Sequence, residues 1–121
     1  MNLSYLDFDY SEDYEGTGTF DAMASVAPHQ WDALQNEIAQ VLGWCTQQFP
    51  EGPAPAEEGG DWHYDLQGVE EISTPMTVSF HPSTGRIERH SGPPGAPRTT
   101  LTLSISGNPQ FCEEFRAAFG A

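Results

Sequence analysis

Nearly every apolar run in this chain alternates with polar residues, and this period of two constrains the fold more than any other feature. A strand buried on both faces reads as continuously apolar, whereas one buried on a single face reads in-and-out. From Leu3 to Tyr10, the residues Leu6, Phe8 and Tyr10 fall on one face and Asp7 and Asp9 on the other. Ser11 to Gly18 reads as a polar turn, and Phe20, Ala22, Ala24 and Val26 then alternate against Thr19, Asp21, Met23 and Ser25, which predicts a hairpin. Trp62, Tyr64 and Leu66 alternate in a strand over Asp61–Gly68, and Met76, Val78 and Phe80 do so again. His81–Gly85 reads as a turn, Arg86–His90 as a polar edge strand and Ser91–Pro97 as a loop. Leu101, Leu103 and Ile105 point inward from a strand over Thr99–Ser106.

Two segments change period. Between Pro28 and Phe49, Trp31, Leu34, Ile38, Val41, Leu42, Cys45 and Phe49 recur every three or four residues, which draws the apolar stripe of a helix. Pro28 suits its first turn and Pro50 ends it. Gly43 weakens the interior of that helix and predicts a close packing contact. Asn108 and Pro109 read as the N-cap and first residue of a second helix, with Phe111, Cys112, Phe115 and Phe119 on its apolar face and Gly120 at its end. Pro50–Gly60 is an acidic loop by composition, too short to divide the chain. The expectation is one α+β domain over residues 1–121, in the order ββα-βββ(β)-α. Its mainly antiparallel sheet has five or six strands, with both helices packed on one face.

Charge narrows the function classes. The chain has 18 Asp and Glu against four basic residues, all arginine, for a net charge of −14. Every carboxylate except Glu88, Glu113 and Glu114 precedes Arg86, the first arginine. Such a field opposes binding to nucleic-acid phosphates and to anionic membranes, and favours a basic protein partner or a cation. Arg86, Arg89, His90 and Arg98 are expected to pair with the acidic half. With no lysine, neither a Schiff base nor a P-loop lysine can form. Two cysteines build no disulfide framework, and the first residues carry neither a basic region nor an apolar core for a signal peptide, so a cytoplasmic location is expected.

No segment carries a catalytic motif, and no catalytic residue or cofactor is assigned. Asp7, Asp9, Glu12, Asp13 and Glu15 form a candidate acidic binding surface. Their spacing opens like a calcium loop but fails, because Glu12 stands where the turn glycine belongs and Gly18 where the bidentate glutamate belongs. His63 and Asp65 share one strand face as a candidate polar pair, of the kind that serves a general base or a metal site. His29, His63, His81, His90, Cys45 and Cys112 match no zinc spacing, so no metal site is assigned, and both cysteines fall on apolar helix faces as core residues. Tyr14 is expected to be exposed and Trp44 half-buried. These residues leave the specific function unknown. They point first to a non-enzymatic protein-binding or adaptor protein with a basic partner, and second to a divalent-cation-binding domain or small metal-assisted hydrolase. A homodimer through an open sheet face or edge strand is a third possibility.

Overall fold

The computed structural model describes residues 2–121 and has the α+β class and element order expected. Six strands are arranged as four plus two rather than in one sheet. Strands β1 (Asp9–Glu12), β2 (Gly18–Val26), β3 (Trp62–Glu71) and β6 (Arg98–Gly107) form an antiparallel sheet in the order β1-β2-β6-β3. Strands β4 (Met76–His81) and β5 (Arg86–Ser91) form a separate two-stranded ribbon. Helices α1 (Trp31–Gln48) and α2 (Pro109–Phe119) complete the fold, and a short 3-10 turn over Pro28–Gln30 leads into α1.

The core lies between one sheet face and the two helices. Phe20, Ala22, Ala24 and Val26 of β2, with Leu103 and Ile105 of β6, meet Leu34, Ile38, Val41 and Cys45 of α1 and Phe111, Cys112 and Phe115 of α2. Phe115 packs on Phe20 with ring centroids 4.4 Å apart and meets Phe8 edge-on at 5.3 Å. Each buried ring of this size contributes about 1.5–3 kcal/mol. Both ends of α2 follow the sequence: the Asn108 side chain accepts from Phe111 N–H at 2.9 Å, Pro109 occupies the first turn, and Gly120 closes the helix at φ 70°. Only glycine takes that φ without strain.

Three expectations change. Leu6 and Phe8 face the core as their alternation requires, but only Asp9–Glu12 pairs as a strand. The backbone N–H groups of Ser4, Tyr5 and Leu6 instead donate to the Glu37 carboxylate of α1, at 3.0, 3.0 and 2.8 Å. Gly43 is exposed, and a Cβ there would meet nothing within 4 Å, so no close contact explains it. Finally, the helices do not cover the whole helix-facing side of β3: Leu66, opposite Leu103, is 39% exposed. No helix among the described residues is long and apolar enough to cross a membrane.

Gly43→Ala is expected to raise stability by up to about 1 kcal/mol, because it removes backbone entropy from the unfolded chain without a clash; thermal unfolding measures it. Glu37→Ala leaves three N–H groups without their acceptor. It should lower stability by about 2 kcal/mol and speed amide hydrogen exchange at Ser4, Tyr5 and Leu6 above all other sites.

Candidate functional site

The four-stranded sheet has a second face that no element covers among the described residues. Cross-strand register sets its contents. Asp9 stands opposite Asp21, Asp21 opposite Ser104, and Ser104 opposite Asp65, so one row across all four strands reads Asp–Asp–Ser–Asp. The adjoining row is Ser11, Thr19, Ser106 and His63, and the row on the other side holds Met23, Thr102 and Gln67. Asp9, Asp21 and Asp65 are all exposed, and Asp7 joins Asp9, Asp21, Met23 and Thr102 around a shallow concavity.

The acidic run over Asp7–Glu15, continuous in sequence, is thus divided in space. Asp7 and Asp9 belong to the open face. Glu12 lies on the helix side, where it accepts from the Tyr10 hydroxyl at 2.8 Å. This bond pushes the phenol pKa up to about 12, with burial adding to the effect. The Arg116 guanidinium covers the same ring at 4.5 Å. Asp13 is committed to the turn, its Oδ1 accepting from Glu15 N–H at 2.9 Å and Thr17 N–H at 3.0 Å. Glu15 is exposed at the tip beside a fully exposed Tyr14. Asp21, which no sequence motif marked, takes the place of these residues in the row. Only the β1–β2 register reveals it.

His63 and Asp65 do share the open face, in adjacent rows, but no hydrogen bond joins them. Asp65 accepts from Gln67 Nε2 at 2.8 Å. No group of three or more His, Cys, Asp or Glu side chains among the described residues is placed to hold a metal ion. Cys45 and Cys112 are buried and unpaired. Burial pushes the Cys45 thiol up to about 12 and raises Cys112 as well. Cys112 Sγ donates to the Gly107 carbonyl at 3.4 Å.

The expected pairing of the arginines with the acidic half is not formed. Arg98 donates to Ser25 Oγ at 2.8 Å and to the Ser25 carbonyl at 3.0 Å. The only ion pairs among the described residues lie within the ribbon, where Glu88 accepts from His81 and stands 3.6 Å from His90. The ribbon itself is the feature that the alternation misassigned. Every residue of β4 and β5 is exposed, and Met76, Val78, Phe80 and Ile87 remain 49, 59, 60 and 66% accessible. Phe80 opposes Ile87 and Val78 opposes Arg89, so these side chains share one ribbon face. At the root of the ribbon, a cleft of about 520 Å³ is lined by Pro28, Trp31, Gly68, Glu70, Pro97 and Leu101 among others.

With both thiols buried and their pKa values raised, an aromatic disulfide reagent is expected to label neither cysteine in the folded protein. Labelling should rise by about 100-fold or more in denaturant, since the thiolate is the reacting species. No protein-family model, curated protein or solved structure matches this chain.

Proposed function

We propose that the chain is a non-enzymatic protein-binding or adaptor protein whose uncovered sheet face receives a basic partner. One observation carries the reading: Asp9 and Asp21 stand directly opposite each other on adjacent strands, with Asp65 in the same row. Like charges directly opposite each other across a ladder are destabilising. A lysine- or arginine-bearing surface laid on the row turns that repulsion into attraction, and the surrounding Ser and Thr hydroxyls supply neutral hydrogen-bonding groups. The field of the remaining carboxylates steers a cationic partner toward the same body. Two unpaired thiols in the core suit a reducing compartment such as the cytoplasm.

The test separates this face from net charge. A fluorescent arginine-rich peptide is titrated against the wild type, against Asp9→Asn/Asp21→Asn/Asp65→Asn, and against Glu51→Gln/Glu57→Gln/Glu58→Gln, which removes equal charge elsewhere. Binding to the wild type should weaken steeply with salt. The aspartate triple variant should lose about tenfold or more in affinity while the glutamate variant loses about twofold. Equal losses in the two variants would reduce the effect to overall charge and end the proposal.

A further inference from the structure

The ribbon and the cleft at its root take no part in that reading, and together they point to a different contact. We infer that a second copy of this chain covers them, in a two-fold dimer where each ribbon lies in its partner's cleft. The ribbon presents Met76, Val78, Phe80 and Ile87 on one face with Arg89 beside them. An isolated two-stranded hairpin is marginal in water, and a contiguous exposed apolar face marks an interface. The stem stays paired through Gly92 N–H to the Pro75 carbonyl and Gly95 N–H to the Ser73 carbonyl, both 2.8 Å, so the ribbon continues from β3 and β6. Because all its residues are exposed, the ribbon does not fill the cleft of its own chain.

The cleft offers the matching surface. It is lined by Gly68 and Leu101, which pair across β3 and β6, by Pro28 and Trp31 at the start of α1, and by Glu70. Trp31 is 37% exposed there.

Charge selects the occupant. Residues 72–97 hold Arg86 and Arg89 against Glu88 alone, while residues 1–71 hold only acidic charges. Neither Arg86 nor Arg89 has an ion-pair partner among the described residues. One chain therefore bears an apolar, basic projection and an apolar, acidic recess. Two copies satisfy both surfaces at once, with Arg89 of each facing Glu70 of the other, and the two-fold closes the assembly.

Light scattering of the full chain over a concentration series at low salt should give twice the chain mass. Phe80→Ser/Ile87→Ser should give a monomer with unchanged far-ultraviolet circular dichroism, since neither side chain belongs to the core. Arg89→Glu and Glu70→Arg should each weaken dimerisation about tenfold or more, and both in one chain should restore it to within about threefold of the wild type. Trp31 emission should shift to the blue on dimerisation. The Asp9→Asn/Asp21→Asn/Asp65→Asn variant should dimerise normally, which separates this contact from the open-face site. A monomer at every concentration, a dimer indifferent to Arg89→Glu, or a charge swap that restores nothing would each overturn the inference.

Discussion

The Trp62 side chain is where the separate parts of this fold become dependent on one another. Its ring lies nearly parallel to Phe111, 7° apart at a centroid distance of 5.9 Å, which joins the start of β3 to α2. Its indole N–H donates to the Phe49 carbonyl at 2.9 Å, satisfying a buried donor at the C-terminus of α1. Its own carbonyl accepts from Ala54 N–H at 3.0 Å and so ties down the proline-rich loop. A Cβ at Gly52 would lie 2.5 Å from the indole, so that position accepts only glycine while the ring keeps its place. From Phe111 the aromatic contacts continue through Phe115 to Phe8 and Phe20. One residue thus fixes the edge of the sheet against both helices. Among the described residues, no element covers the sheet face turned away from this assembly.

The α+β class and the order of strands and helices were legible in the residues, because period and capping chemistry are local, although β1 runs into the segment read as a turn. The Asn108–Pro109 start and Gly120 end of α2 needed no tertiary information. Partners and coverage were not legible. Alternation states which residues share a face, and it reads the same whether that face meets a core or solvent. Met76, Val78 and Phe80 therefore alternate just as the core strands do, yet they are exposed. Leu6 and Phe8 kept the predicted side while their backbone lost its strand, since Glu37 could satisfy those N–H groups from another element. Gly43 offered a local anomaly for which the surroundings give no structural reason.

The candidate site shows the same division. Residues adjacent in sequence, from Asp7 to Glu15, go to three different environments because the hairpin turns them to opposite faces. Residues far apart, Asp9, Asp21 and Asp65, fall into one row because β1 pairs directly with β2, and β6 carries the same register from Asp21 through Ser104 to Asp65. A cluster read along the chain differs from a cluster read across a sheet. Only the second produces a surface that a partner can meet.

The strand order β1-β2-β6-β3 places β6, the last of the described strands in sequence, at the interior of the sheet. Gly18 pairs with Gly107, and Trp62 pairs with the same residue from the other side. Until the segment through Gly107 has left the ribosome, β2 and β3 lack the strand that joins them, and of the ladders among the described residues β1–β2 and β4–β5 alone can form. Emerging chains must hold Phe20, Trp62 and their neighbours in an unfinished state, where unpaired strand edges invite association with other nascent chains. Folding then waits on ladders that join residues 18–26 and 62–71 to residues 98–107, a non-local topology that favours slow completion.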